Sequence, residues 1–150
     1  MASTFTAIHV HMVFSTKNRE RWIAPAIEGR LWAYLGGIAS ENGLKPIEIG
    51  GVEDHIHALL GIAPTLAVSR VAQLLKGGSS QWIHATFPDL RGFAWQDGYG
   101  AFSVSQSALA EVTAYVRSQR EHHRTRTFDE EYRLFLKKHG IHFDEKYLLG

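Results

Sequence analysis

The fold is decided by one short apolar run, Glu53-Asp54-His55-Ile56-His57-Ala58-Leu59-Leu60-Gly61-Ile62. In a strand, residues two apart point to the same face of the sheet. One face of this run would then be unbroken and apolar, formed by Ile56, Ala58, Leu60 and Ile62. His55 and His57 would share the opposite face, so that both imidazoles project together. The run therefore predicts a strand with a core on one side and two nitrogen ligands on the other.

The segments on either side of this run predict further strands and helices. Alternating or short apolar runs predict strands over residues 5–15, 46–52 and 99–104. A helix can begin at Pro25 and stop near Gly43, and a second can begin with Thr65 as its N-cap and weaken or bend at Gly77-Gly78. The resulting order, strand-helix-strand-strand-helix-strand, predicts an α+β, ferredoxin-like (split βαβ) antiparallel sheet with both helices on one face.

The C-terminal third predicts additional helices outside that pattern. An amphipathic stretch from Ala108 to His123, capped by Ser105 or Ser107, carries Tyr115 at the edge of its apolar stripe. Gln119 follows four residues later, and residues four apart lie one above the other on a helix. A last helix is expected from about Asp129 to Lys138, followed by an extended tail over residues 141–149.

Size and composition indicate a single domain, residues 1–150, of an ordinary soluble globular type. The formal net charge is only +1, so bulk electrostatics do not indicate a nucleic-acid binder. The absence of cysteine excludes disulfides and thiolate zinc sites. No run approaches the roughly 20 apolar residues of a membrane span, and the N-terminus lacks a signal-peptide pattern, so we expect a cytoplasmic protein without a membrane partner.

Spacing alone leaves the role of each candidate residue open. His55 and His57 fit a metal site, but they also fit a solvent-facing polar side of a strand. Tyr115 fits a nucleophile or an edge aromatic with a wet hydroxyl. His9 and His11 repeat the two-residue spacing, and they are either rival ligands or supports for the main pair from a neighbouring strand. His122 and His123 lie in a basic segment that runs from Arg117 to Lys138. We expect them to lie at the surface or to contact a phosphate.

Four ordered segments of the chain resemble those of a known family. They are residues 11–19, residues 51–57 with the triplet histidine-hydrophobe-histidine, residues 95–105, and residues 115–123. Together they are similar to the single-tyrosine HUH transposases of the insertion-sequence 200/605 group and to the related REP-associated tyrosine transposases. The triplet is weakly specific, whereas the ordered set is strongly specific. The chain length fits the shorter insertion-sequence type.

The resemblance implies a role for each residue of the two pairs. His55, His57 and Gln119 would be ligands of Mg²⁺ or Mn²⁺, and Tyr115 would be the nucleophile. The implied reaction is cleavage and rejoining of single-stranded DNA at hairpin-bearing ends through a 5′-phosphotyrosine. The implied assembly is a homodimer in which the tyrosine helix can complete the partner's site. Imidazole favours transition metals, so we expect Mn²⁺ to support activity well.

Basic residues supply candidate DNA-backbone contacts: Lys76, Arg117, Arg120 and Arg124. Taken alone, the basic segment that contains the last three is typical of a solvated helical face. Three other functions stay open. They are a domesticated, non-catalytic nucleic-acid-binding protein, a replication- or conjugation-type HUH nuclease, and a small metal-dependent hydrolase with Glu53 or Asp54 as an acidic ligand.

Overall fold

The computed structural model describes residues 3–148. The ends of the predicted domain, Met1-Ala2 and Leu149-Gly150, lie outside the described residues, and so does the last residue of the predicted tail. Within residues 3–148, none of the helices is long and apolar enough to cross a membrane.

Four antiparallel strands form one sheet in the order β2-β3-β1-β4. The strands are β1 (His9–Ser15), β2 (Lys45–Val52), β3 (His55–Gly61) and β4 (Gly100–Val104). The run that carries the two histidines is therefore a central strand, paired on one side with β1 and on the other with β2. This order confirms the predicted ferredoxin-like, α+β fold.

One face of the sheet packs against two long helices, α1 (Pro25–Glu41) and α2 (Val68–Thr86). The predicted apolar face of β3 lies in this layer, where Ile56 and Leu60 are fully buried. Each such side chain contributes about 1.5–3 kcal/mol by leaving water. This layer holds the main core of the domain, and it orients the histidine face of β3 away from α1 and α2.

The opposite face is covered by three C-terminal helices: α3 (Leu109–Arg117), α4 (Gln119–His122) and α5 (Phe128–Lys138). A second apolar cluster lies here, made of Val13, Phe102, Phe128, Tyr132, Leu136 and Leu148. The sheet is thus enclosed on both sides. His55 and His57 are fully buried beneath the C-terminal helices, so the alternative of a solvent-facing pair is wrong.

Several predicted boundaries differ from the observed ones. The stretch from Ala108 to His123 is two helices, because Ser118 (φ −102°, ψ 30°) interrupts it. Its start is preceded by a short 3₁₀ turn, Gln106–Ala108, and has no serine side-chain cap. The second helix begins at Val68 rather than after Thr65, and it runs through both glycines to Thr86. β1 begins at His9 rather than Phe5, and the tail contains a 3₁₀ turn, Glu145–Tyr147.

Candidate active site

The two histidines of β3 are held in fixed orientations by contacts at their Nδ1 atoms, which we call their outer ring nitrogens. Nδ1 of His55 lies 2.7 Å from the Asp54 carboxylate, and Nδ1 of His57 lies 2.7 Å from Nε2 of His11. Because a carboxylate only accepts, His55 donates from Nδ1 and its Nε2 then carries a lone pair in the neutral ring. The Nε2 atoms of both histidines point toward the C-terminal helices, as metal-ligating imidazoles with a supporting partner do.

Gln119 presents its amide oxygen to this pair. Its Nε2 donates to the backbone carbonyl of Tyr115 at 3.0 Å, so its Oε1 faces the other way. That oxygen lies 3.2 Å from Nε2 of His55 and 3.2 Å from Nε2 of His123. The structure therefore brings together three of the residues that the sequence singled out: Gln119, His55 and His57.

Two further residues complete the cluster: His123, which follows α4, and Glu131 of α5. Nδ1 of His123 donates to the carbonyl of Arg126 at 2.7 Å, so the Nε2 atom of a neutral His123 also holds a lone pair. The Oε1 atom of Glu131 lies 3.0 Å from Nε2 of His57 and 3.3 Å from Nε2 of His123. Ligand atoms of His55, His57, His123 and Glu131 all lie within 4.8 Å of one another.

The donor set fits a metal ion. Lone pairs of His55, His123, Gln119 and Glu131 converge, and no neutral arrangement of these rings and oxygens supplies enough hydrogens between them. A cation among them, either a proton or a metal ion, resolves the arrangement. Imidazole nitrogens with carboxylate and amide oxygens form a donor set that suits divalent transition metals such as Mn²⁺.

Burial and charge set the protonation of the cluster. Burial lowers the pKa of His57 to about 4, although the hydrogen bond with Glu131 opposes this shift. Burial favours a higher pKa for Glu131, but hydrogen bonds with His123 and His57 outweigh it and hold that pKa well below its usual range. At neutral pH the cluster thus contains a carboxylate anion and a neutral His57, which is the form that binds metals.

Tyr115 of α3 lies directly beside this cluster. Its hydroxyl donates a hydrogen bond to Oε2 of Glu131, and its ring centroid is 5.8 Å from that of His57. Burial and the adjacent Glu131 charge raise the pKa of Tyr115 far above its ordinary value. The phenol is therefore held neutral in this state, and it becomes a good nucleophile only when positive charge is brought close to its oxygen.

The position of α3 depends on a glycine in β2. A Cβ atom on Gly50 would lie 2.4 Å from the backbone oxygen of Val116, the residue after Tyr115. Only glycine permits this close approach of helix and strand. Gly50 thus lies within β2 and sets the distance between α3 and the sheet.

Two clefts lead from the surface to the cluster. One, of about 560 Å³, is lined by His123 and by four arginines: Arg21, Arg120, Arg124 and Arg126. The other, of about 240 Å³, is lined by Tyr115, Glu131 and Arg126 among others. Arg126 borders both. We call the first the arginine cleft and the second the tyrosine cleft.

The chain is similar to known proteins in sequence and in structure. The family model described as "Transposase IS200 like" matches residues 4–119. The chain belongs to the IS200-like transposase family. It is 28% identical to the ISDra2 transposase TnpA of Deinococcus radiodurans, over 76% of this chain and 85% of the relative. It is 30% identical to the transposase for insertion sequence element IS200 of Salmonella typhimurium, over 74% and 76% respectively.

Two solved structures are similar to that of the IS200-like transposase. A Deinococcus radiodurans structure described as a transposase superposes with a TM-score of 0.66 and 26% identity, covering 77% of this chain and 93% of that one. A REP-associated tyrosine transposase bound to a REP hairpin gives a TM-score of 0.55 at 12% identity, covering 77% and 70%. The second likeness shows a shared fold.

The four basic residues that the sequence offered as DNA-backbone contacts of this transposase lie in different surroundings. Arg124 is highly exposed on the arginine cleft and pairs loosely with Glu121 at 3.4 Å. Arg120 lines the same cleft but pairs with acidic side chains of α1 and of the β2–β3 turn. Arg117 pairs with Glu48 at 2.9 Å. Lys76 lies on the α2 side of the sheet, where its Nζ donates to two loop carbonyls.

The sequence predicted no role for Glu131 and a surface position or a phosphate contact for His123. His123 is half-buried in the cluster instead. A signal for Glu131 was present in the sequence. It lies on the buried stripe of α5 with Phe128, Tyr132 and Leu136, and a carboxylate on an apolar stripe is seldom buried without a partner. Both residues lie beyond the segment that the family model matches.

Proposed function

We propose that this IS200-like transposase cleaves and rejoins single-stranded DNA at hairpin-bearing element ends through a covalent link to Tyr115. The observation that carries the proposal is the contact between the Tyr115 hydroxyl and the His/Gln/Glu cluster. This reaction needs an attacking oxygen that lies next to a group able to neutralise the charge of a phosphate. Here both lie on the same buried face of the sheet.

His55, His57 and Gln119 would hold a divalent ion, Mg²⁺ or Mn²⁺. When bound, the ion supplies Lewis-acid polarisation of a phosphate oxygen and positive charge near the phenol. The residues around the ligands fix their orientation, since Asp54 and His11 each contact an outer ring nitrogen. The buried position of both histidines keeps bulk water away from the ligand atoms.

The chemistry then follows from the position of Tyr115. Its Oη attacks the phosphorus, a new P–Oη bond forms, and the bond from phosphorus to the 3′ oxygen breaks. The phenol loses its proton to water, and the leaving 3′ oxygen takes a proton from water, so the products are a 5′-phosphotyrosine and a free 3′-hydroxyl. A second 3′-hydroxyl reverses these steps and releases the tyrosine. Because the phosphodiester energy is preserved, rejoining needs no nucleotide cofactor.

The strand would approach along the arginine cleft, which opens beside His123. Arg124, exposed there, is our first candidate for a backbone phosphate contact, and Arg120 is the second. Lys76 and Arg117 stay candidates for DNA outside the cleft. The REP hairpin bound by a structural relative supports a hairpin as the double-stranded part of the substrate.

The structure describes one chain, and its own Tyr115 lies at its own histidines. A homodimer remains our expectation for the protein in solution. If the helices α3–α5 exchange between subunits, the partner's tyrosine would occupy the same position. Light scattering of the purified protein, combined with complementation between a Tyr115→Phe chain and a His57→Ala chain, would distinguish the two arrangements.

The proposed function is tested with labelled single-stranded hairpin oligonucleotides that carry randomised flanks. Incubation with the protein and Mn²⁺ should yield a covalent protein–DNA adduct on a denaturing gel, and EDTA should abolish it. The fully duplex form of the same oligonucleotides is the matched control and should give no adduct. Binding of the hairpins without any adduct would instead support the domesticated, non-catalytic alternative.

A further inference from the structure

Glu131 reaches the site from outside the matched family segment. It lies on α5, whereas the family model ends at residue 119. The helix is held in place independently of the site. Its first turn has a capping box formed by Thr127 and Glu130, and its apolar stripe packs in the second cluster. This packing directs Glu131 toward β3 rather than toward solvent, and the residue is only 2% exposed.

The two carboxylate oxygens of Glu131 have different partners. Oε1 faces three imidazole nitrogens, at 3.0 Å for His57, 3.3 Å for His123 and 3.5 Å for His55. Oε2 accepts the hydrogen bond of the Tyr115 hydroxyl. One side chain therefore connects the candidate metal ligands with the candidate nucleophile. No other carboxylate among residues 3–148 belongs to this cluster.

If the role of Glu131 were structural alone, burying its carboxylate would cost free energy of folding. Burying an ionised carboxylate is unfavourable unless charge and hydrogen bonds compensate. The imidazoles around Oε1 compensate fully only when they carry protons or share a cation. Because the Nδ1 hydrogens of His55 and His123 are donated to Asp54 and to a backbone carbonyl, a cation is needed between their Nε2 atoms and Oε1, and one metal ion would satisfy all three atoms together.

We propose that Glu131 is a carboxylate ligand of the same metal ion as His55 and His57, and that it holds the Tyr115 hydroxyl beside that ion. The inference rests on the proposed function for the roles of the metal and of Tyr115. It adds an anionic ligand that the matched family segment does not contain. It also means that α5 belongs to the active site of this chain rather than being a peripheral extension.

The test is a titration of the 150-residue chain with Mn²⁺. The electron paramagnetic resonance signal of free Mn²⁺ measures how much of the ion is bound. Glu131→Gln keeps the shape and removes the charge, and we expect it to weaken Mn²⁺ affinity by at least about tenfold. Glu131→Asp should retain part of the affinity. The matched control is Glu130→Gln, one residue away and exposed, in which the capping box is preserved.

Equal Mn²⁺ affinity for Glu131→Gln, Glu130→Gln and the unchanged protein would overturn the ligand assignment. Circular dichroism of each variant reports folding, and if Glu131→Gln does not fold, Glu131→Asp decides the question by the same titration. The adduct assay on the unchanged protein separates the two proposals. Adduct formation with unaltered Mn²⁺ binding in Glu131→Gln overturns only the role of Glu131. If Glu131→Gln loses Mn²⁺ affinity but the unchanged protein forms no adduct, only the proposed function is overturned.

Discussion

Nε2 of His11 lies 2.7 Å from Nδ1 of His57, so one buried histidine of β1 orients another of β3. For Nε2 of His57 to bind a metal, its Nδ1 must carry the hydrogen and donate it to His11. The contact gives His57 an acceptor for that hydrogen when Nε2 binds a metal, whereas without a metal Nε2 can instead donate to Glu131 at 3.0 Å. Of the two roles left open for the histidines of β1, this contact favours support of the pair by His11 from a neighbouring strand.

Replacing His11 with phenylalanine should weaken metal binding while leaving every candidate ligand in place. The change keeps a ring but removes the acceptor for His57, and loss of such a partner typically costs about 10–100-fold in metal affinity. A Mn²⁺ titration measures it. His9→Phe, on the same strand and two residues away, is the control and should bind Mn²⁺ as before. Equal affinity in both variants would contradict the orienting role.

Arg124→Gln should reduce the salt dependence of single-stranded DNA binding. A phosphate contact on a single strand contributes about 0.7 to the slope of log affinity against log salt concentration, so the slope should fall by about that amount. Fluorescence anisotropy over a salt series measures it. Lys76→Gln removes the same charge on the α2 side of the sheet, away from the cleft. A larger slope change for Lys76→Gln than for Arg124→Gln would contradict the proposed path of the strand.

Leu136→Ala should destabilise α5 and loosen the site. Leu136 is buried in the second apolar cluster, and truncations of this kind cost about 2–5 kcal/mol. Leu134→Ala makes the same change on the same helix at a 47% exposed position, where it should cost under about 0.5 kcal/mol. Urea unfolding gives both values. Similar costs at the two positions would show that α5 is not packed on the sheet as described.

Gly50→Ala should move α3 away from β2 and displace Tyr115. The added Cβ would meet the Val116 carbonyl at 2.4 Å, and a shift of about 1 Å in a reacting group can cost on the order of 10²-fold in rate. Single-turnover adduct formation measures the loss. In contrast, Gly77→Ala adds a Cβ in open space within α2 and should stabilise the protein by about 0.5–1 kcal/mol. A wild-type rate for Gly50→Ala would show that this close approach does not position the tyrosine.

The sheet and its helices could be predicted from local patterns, because strand and helix periods are visible in the chain. The burial of His55 and His57 could not, since it depends on helices more than 50 residues later that return across the same face of the sheet. Spacing also indicated Tyr115 and Gln119 as a pair, although Ser118 interrupts the helix between them. They remain close because the side chain of Gln119 donates to the backbone of Tyr115.

The role of Glu131 could not be predicted from the sequence. Its stripe position on α5 was visible, but its partners lie on β3 and α3 and are brought to it only by tertiary packing. The acidic neighbour that the sequence offered, Asp54, instead orients His55 through its outer nitrogen. The acid in the cluster therefore comes from a different part of the chain than the hydrolase alternative assumed.

The central claim is that Tyr115 becomes covalently linked to DNA, and peptide mapping tests it most directly. The adduct formed with Mn²⁺ and a single-stranded hairpin is digested with nuclease and protease, and mass spectrometry locates the residual nucleotide. We predict a 5′-phosphonucleotide on the peptide that contains Tyr115. It should be retained in Tyr34→Phe, which changes an exposed tyrosine, and absent in Tyr115→Phe. A nucleotide on any other residue, or an undiminished adduct in Tyr115→Phe, would contradict the claim.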